Sequence, residues 1–403
     1  MSDAPGRYPT LTLRARRVLT PDVELETTDI AIVEGRIASV AAARPAGRVV
    51  DLGDRIVVPG FVDLHVHGGG GAQVNAGSPA EVAAAVRTIA AAHVRHGTTA
   101  LVPTTVSDSR ERLVTAVRGI AAARDDADGP TVLGAHLEGP WLSPQHAGAQ
   151  DPSALRPPSL GEFADLQAAA PGTVRMITLA PELRGALDVV RAAAAAGIVV
   201  SVGHTDADVD TARAAADAGA THATHLFNAM PPLHHRAPGA AGAVLTDSRV
   251  TVEVVADGHH VHPAVLALVA AAAPGRFVAV TDAMAATGLP AGDYHLGNRA
   301  VRVAGGRVTL LDAPDTLAGS VLTMDAAVRT LVGAGVPLAA AVTAATRTPA
   351  DAIGACAKGR IAAGTDADLV VLEPDLTIAA VLTRGRVAHD PAGLFRGETG
   401  QTG

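Results

Sequence analysis

Hydrophobic positions along the chain fall into two textures. Near the start, "LTLRARRVLT", "DIAIVEGRIASVA" and "RVVDLGDRIVVPG" are short β-type runs broken by turns. Near the finish, "KGRIAAGTDADLVVLEP" and "IAAVLTRGRVAHD" repeat that texture, including a second "GRI". None of these segments has helical periodicity, so they predict strands. The simplest arrangement is one small composite β-sandwich domain made from residues 1–58 and 355–403.

The residues between, 59–354, alternate. Eight apolar β-type runs follow one another: "IVVPGFVDLHVH", "TTALVPTT", "TVLGAHLEG", "VRMITLAPE", "GIVVSVGHT", "HATHLFNAM", "RVTVEVVADG" and "RFVAVTDA". Between most of them lie Ala-rich helical stretches such as "SPAEVAAAVRTIAAAHVRHG". Helix starts are signalled by Ser78-Pro79 before Glu81, and by Thr205 before Asp206 and Asp208. Strands alternating with helices eight times predict a (β/α)8 TIM-like barrel of the α/β class rather than an open sheet. Pro59-Gly60 punctuates the entry into it.

Composition narrows the class. The chain of 403 residues is 48% hydrophobic and 18% charged, which is globular rather than disordered. Aromatics are only 2%, so Ala, Val, Leu and Ile must build the core. A formal charge of −8, from 32 basic and 40 acidic residues, argues against nucleic acid as a partner. An anionic substrate therefore requires a local basic pocket. One cysteine, Cys356, excludes an internal disulfide framework and a cysteine-rich zinc site. Stretches such as "PAVLALVAAAAPG" are too short to span a bilayer, and "MSDAPGRYPT" lacks a signal pattern. The expectation is a cytoplasmic protein without a membrane partner.

Chemistry in such barrels sits at the C-terminal ends of the strands. In "FVDLHVHGGGG" an extended chain places His65 and His67 on one side, with Asp63 just behind them. Taken alone, that pair fits a metal site or a hydrogen-bonded couple beside a Gly-rich turn. Other runs end in Glu138, His204, His225 and Asp282, all of them N or O donors that Zn²⁺, Fe²⁺ or Mn²⁺ accept. Scattered core histidines would not favour one rim, so the set predicts a metal centre. His136 is expected behind the ligands as a hydrogen-bond partner. His93 and His96 fall on a helix, His146, His234 and His235 in loops, and His222 facing away from His225. Lys358 is the only lysine, which excludes the barrel hydrolases that bridge two metals with a carboxylated lysine. Glu138 is the natural carboxylate for that position.

The motifs "GFVDLHVHG", "HLEGPWLSP", "VGHT", "THLFNAM", "HHRAPG", "DGHHV", "TDAMAATGLPAG", "LAGSVLTMDAAV" and "GRIAAGTDADLVVL" occur in that order. Through nearly the whole chain they resemble the N-acetylglucosamine-6-phosphate deacetylase family of the amidohydrolase superfamily. The resemblance implies that Glu138, His204 and His225 hold the principal divalent metal, most commonly Zn²⁺, with Fe²⁺, Mn²⁺ and Co²⁺ as alternatives. It implies one or two ions per subunit, His65 and His67 helping to hold the second where there are two, and Asp282 as the general base. Asn228, the backbone of Ala229, and Arg236 from across a homodimer interface would bind the phosphate of an amino-sugar phosphate, and His260 the sugar. One position departs from the family: Gln150 stands where a histidine is usual. A glutamine amide donates a hydrogen bond but carries no charge. The implied reaction is deacetylation of N-acetylglucosamine 6-phosphate. The alternative is deacylation of another N-acyl amino sugar, such as N-acetylgalactosamine 6-phosphate, or of an N-acyl amino acid.

Overall fold

The computed structural model describes residues 9–20, 23–41, 47–75, 77–124 and 129–396. Residues 1–8, part of the stretch read above for a leader, lie outside them. Eight parallel strands pair in chain order: β1 (Phe61–Val66), β2 (Thr98–Thr105), β3 (Ala135–Glu138), β4 (Val174–Leu179), β5 (Val199–Val202), β6 (His222–Ala223), β7 (Thr251–Val255) and β8 (Phe277–Val280). Just beyond β8 the ring closes. Ala283 bridges Val66 in parallel, and the Asp282 N–H donates to the His65 carbonyl at 2.9 Å. Asp63 helps, accepting from Thr281 Oγ1 at 2.5 Å and from the Thr281 N–H at 3.2 Å. The barrel predicted from eight β-runs is present, although the sixth run contributes only two strand residues.

Helices cover the outer face. The helix Pro79–Val94 opens on a reciprocal cap, with Ser78 Oγ accepting from the Glu81 N–H and Glu81 Oε2 accepting from the Ser78 N–H at 2.7 Å. Its Val82, Val86 and Ile89 are fully buried, each worth roughly 1.5–3 kcal/mol on leaving water. The second predicted start needs correction. Asp208, not Thr205, caps the helix Val209–Ala218, accepting from the Thr211 N–H at 2.8 Å. Thr205 instead donates to Glu182 Oε2 at 2.5 Å, holding the loop that leaves β5.

The run "IVVPGFVDLHVH" is two strands. Ile56–Pro59 belongs to a sheet of terminal strands, where it pairs antiparallel with Leu369–Leu372 and parallel with Leu11–Leu19. Phe61 then starts the barrel. Gly60 makes the crossing possible, because a Cβ there would lie 2.0 Å from Thr99 Oγ1. That eight-stranded sheet joins both ends of the chain around a core of Leu13, Ile30, Ile32, Leu52, Val371 and Leu382. The lone lysine ties it to the barrel floor. Lys358 Nζ reaches Asp368 Oδ2 at 2.7 Å, Asp366 Oδ2 at 2.9 Å and Thr131 Oγ1 at 2.7 Å.

One element was not anticipated. After β8, Gly292–Leu296, Arg299–Ala304 and Arg307–Leu310 form a three-stranded antiparallel sheet over the catalytic rim. Arg299 donates to the Gln150 carbonyl at 3.2 Å and Asn298 Nδ2 to Asp151 Oδ2 at 2.5 Å, so this sheet walls the cleft.

Candidate active site

The carboxyl ends of the strands meet around Glu138. Its Oε1 lies 3.1 Å from His204 Nε2, 3.2 Å from His225 Nε2 and 3.5 Å from His65 Nε2, while Oε2 lies 3.4 Å from His67 Nε2. The paired imidazoles approach through their Nε2 atoms, His204 to His225 at 3.0 Å and His65 to His67 at 3.1 Å. Two buried groups capable of holding an ion result, Glu138-His204-His225 and His65-His67-Glu138. Glu138 is common to both.

The far ring nitrogens explain why the Nε2 atoms face inward. His65 Nδ1 faces Glu253 Oε2 at 3.1 Å, His67 Nδ1 the Thr104 carbonyl at 3.1 Å, and His204 Nδ1 the His146 carbonyl at 2.9 Å. An acceptor at Nδ1 holds the proton there and leaves Nε2 a lone pair for a metal. Nitrogen and carboxylate donors with inward lone pairs fit a divalent ion.

Backbone geometry at the rim is unusual. His204 (φ 48°), His225 (φ 26°), Ala229 (φ 50°) and Asp282 (φ 50°) all occupy the left-handed region, uncommon for non-glycine residues. Such residues typically cost about 1–3 kcal/mol and persist where surrounding bonds hold them. The His225 N–H donates to Glu253 Oε2 at 3.2 Å, and the Asp282 carbonyl accepts from the Ser320 N–H at 2.7 Å.

Electrostatics follow from four imidazoles and the carboxylates in one buried space. Burial opposes charge on His65 and His67, yet Glu138 and Asp282 raise them to about 10 and about 9. Burial likewise opposes the charged form of Glu138 and Asp282, but the histidines hold both below the usual carboxylate range. Asp282 Oδ1 stands 3.2 Å from His67 Nε2 and 3.6 Å from His65 Nε2. No helix begins there, so the aspartate is not a cap.

Above this floor lies a cleft of about 240 Å³, lined by His67, Glu138, His204, His225 and Asp282 among others. Gln150, Asn228, Ala229 and His260 line it too. Gln150 is buried, its Nε2 donating to Glu138 Oε2 at 2.5 Å and its Oε1 accepting from the Ser107 N–H at 2.7 Å. Asn228 Nδ2 donates to the His225 and Leu226 carbonyls, each at 3.2 Å. His260 Nδ1 meets Asp257 Oδ2 at 2.7 Å; burial would lower its pKa, but this bond raises it. Arg236 is not brought in. It is exposed, with its guanidinium 2.8 Å from His235 Nε2, and lines a separate groove beside Asp206, Pro231 and Pro238. Its loop is closed by an antiparallel bridge between His234 and Ala237.

Glu253 and the rim segment Asp315-Thr316-Leu317 were missed in the sequence. Glu253 is fully buried in β7 and accepts from His222 Nε2 at 3.0 Å as well as meeting His65. His222, expected to face away, therefore joins the support of the site. A single acid inside "TVEVV" was the available signal. His136 makes no contact with a ligand carboxylate; its Nε2 pairs with Thr178 Oγ1 at 2.7 Å, while its ring stands edge-on to His65. The four glycines after His67 form a tight hairpin, in which Gly68 pairs with Gln73. Cβ atoms at Gly68 and Gly69 would lie 2.6 Å from the Ala285 nitrogen and 2.8 Å from His93 Nε2.

Known proteins share this architecture. The amidohydrolase family pattern matches residues 56–388. An N-acetylgalactosamine-6-phosphate deacetylase of Escherichia coli O157:H7 is 38% identical over 379 residues, 93% of this chain and 98% of its own. An N-acetylglucosamine-6-phosphate deacetylase of Bacillus subtilis is 34% identical over 385 residues, 92% of this chain and 95% of its own. The N-acetyl-D-glucosamine-6-phosphate deacetylase of Mycobacterium smegmatis was solved as an Asp-to-Ala mutant in complex with N-acetyl-D-glucosamine-6-phosphate. It superposes with a TM-score of 0.88 at 42% identity, covering 94% of this chain and 99% of that one. The present chain thus belongs to the amidohydrolase family and, within it, to the N-acetylglucosamine-6-phosphate deacetylases.

Proposed function

We propose that this protein hydrolyses the N-acetyl group of N-acetylglucosamine 6-phosphate, releasing acetate and glucosamine 6-phosphate. The observation that carries the reading is Glu138 shared by two histidine pairs beside the buried Asp282. Glu138, His204 and His225 would hold a divalent ion, and His65, His67 and Glu138 would hold a second; such an ion would supply Lewis-acid chemistry toward the amide carbonyl and water. Zn²⁺ suits these donors, and Fe²⁺, Mn²⁺ and Co²⁺ are the alternatives.

The chain's own groups do the rest. Asp282, beside His67 and His65, takes a proton from the attacking water and returns it to the departing amine. Gln150 offers a neutral donor near the acyl oxygen, and His260, backed by Asp257, contacts the sugar. Asn228 exchanges a carbonyl partner for a phosphate oxygen beside the Ala229 backbone. Arg236, pointing out of its own cleft, completes the phosphate site of a partner subunit in a homodimer.

A second reading keeps the chemistry and changes one sugar hydroxyl: the substrate is N-acetylgalactosamine 6-phosphate. The relative with that printed activity, 38% identical over 93% of this chain, favours it. We also assign residues 59–354 as the catalytic unit, residues 1–58 and 355–403 as a supporting domain, and the cytoplasm as the compartment. Among the described residues no helix is long and apolar enough to cross a membrane.

Replacing Glu138 tests the centre, since it serves both groups. Glu138→Ala should lose most bound metal and nearly all acetate release. Normal metal content with normal turnover in that variant would sink the assignment.

A further inference from the structure

We infer that Glu253 is the positioning residue that makes His65 a metal ligand and so determines whether the His65-His67-Glu138 group is filled. The inference rests on the two-ion reading above.

Glu253 is wholly buried in β7, and both of its oxygens are engaged at the site. Oε2 accepts from His65 Nδ1 at 3.1 Å and from the His225 N–H at 3.2 Å, while Oε1 accepts from His222 Nε2 at 3.0 Å. One carboxylate thus touches a ligand of one group directly and the backbone of a ligand of the other. The partners of the remaining ligands differ in kind. His67 and His204 rest on uncharged backbone carbonyls, and His225 Nδ1 has no hydrogen-bond partner among the described residues. Only His65 leans on a charged acceptor.

A charged acceptor fixes the tautomer more firmly than a carbonyl and raises the donor strength of Nε2. At His204 the carbonyl already provides orientation, and an amide oxygen at position 253 still accepts from the His225 N–H, so loss of the charge leaves that group largely intact. At His65 nothing else does: the ring is enclosed, with Nε2 facing Glu138 and Asp282 and Nδ1 facing Glu253 alone. An amide at position 253 keeps its oxygen on His65 Nδ1 and the His225 N–H and turns its NH2 to His222 Nε2, so His65 keeps its orientation but loses the charge that strengthens Nε2 as a donor. His222, the other partner of Glu253, is not in either ligand group and serves to hold the carboxylate still.

The test measures metal rather than turnover. Purified wild type, Glu253→Gln and Glu253→Asp are stripped of metal, titrated with Co²⁺ by absorption and calorimetry, and analysed for Zn²⁺ per chain after reloading. Wild type should hold two ions. Glu253→Gln should keep one at near wild-type affinity and bind the second about 10- to 100-fold more weakly. Glu253→Asp retains the charge but draws it away from His65, so its second ion should weaken selectively by a smaller factor. If the Gln variant does not fold, the Asp variant decides by the same criterion. Two ions at wild-type affinity in the variants, or equal weakening of both, would overturn the assignment and leave Glu253 a general support of the barrel. A wild type that holds a single ion would refute the two-ion reading itself, and this inference with it.

Discussion

Asp282 is the residue on which the chemistry turns. It sits in a left-handed backbone conformation, is nearly inaccessible, and faces His67 Nε2 and His65 Nε2. Asp282→Asn keeps size and hydrogen bonding but removes the proton acceptor. We expect kcat to fall by about 10²–10⁴-fold with metal content unchanged, as general acid–base catalysis of this kind contributes. Parallel metal analysis and steady-state kinetics check it; a drop explained by metal loss would contradict the assigned role. Gln150 poses a subtler question, because its amide is spent on Glu138 and Ser107. Gln150→Ala strips a buried carboxylate of one donor and leaves the Ser107 N–H without its acceptor, so kcat should drop roughly tenfold or more. Gln150→His introduces a donor able to carry charge toward the developing oxyanion, and kcat should rise with little change in KM. An unchanged or lower kcat in the histidine variant would show that Gln150 acts on Glu138 alone.

Among the elements, the eight strands and their rim were legible because barrel chemistry collects at strand ends, and five of the eight runs ended on a candidate donor. Glu253 was not legible for the same reason: it lies mid-strand between valines, where an end-directed reading does not look. The rim hairpin was passed over because its turns, "LGNR" and "AGGR", fall where the βα alternation had already run its course. Thr205 misled because a cap signal does not say how far a loop travels before its helix starts. The helix Pro79–Val94 carries a prediction of its own. His93 on that helix is enclosed, with Nε2 at 2.9 Å from the Gly68 carbonyl, and burial lowers its pKa to about 4. Its unfolded value is about 6.5. The unfolded chain thus binds the proton first, and stability contributed by the neutral ring is complete above about pH 6.5 and lost as pH falls toward 4. The loss is on the order of 3 kcal/mol. Denaturant midpoints of metal-free wild type and His93→Gln between pH 7 and 4 should converge on acidification. Parallel curves would remove His93 from the acid sensitivity.

At the scale of the whole molecule, one chain builds a buried floor of histidines and carboxylates and a cleft but leaves Arg236, the proposed phosphate cation, outside. Arg236 is exposed and lines a groove separate from the cleft. On the proposed function a second copy of the chain would supply it to the substrate's phosphate. Arg236→Ala should raise KM for the phosphorylated sugar by the loss of roughly 2–5 kcal/mol, while hardly affecting the slow reaction of the unphosphorylated sugar. Mixing Arg236→Ala with Asp282→Asn and allowing subunit exchange should restore activity, since a mixed dimer holds one intact site. Failure to recover after verified exchange would place Arg236 outside the site. The resemblance in sequence is what implies this arrangement; residue spacing alone does not.

The most direct test is the rate of acetate release by purified protein of known metal content. It should be run on N-acetylglucosamine 6-phosphate, N-acetylgalactosamine 6-phosphate and unphosphorylated N-acetylglucosamine. The expected result is highest kcat/KM on N-acetylglucosamine 6-phosphate, abolished by chelation and regained on adding a divalent ion. Greater kcat/KM on the galactose epimer would transfer the assignment to the second substrate. No acetate from any phosphorylated sugar by metal-loaded protein would contradict the proposed function outright.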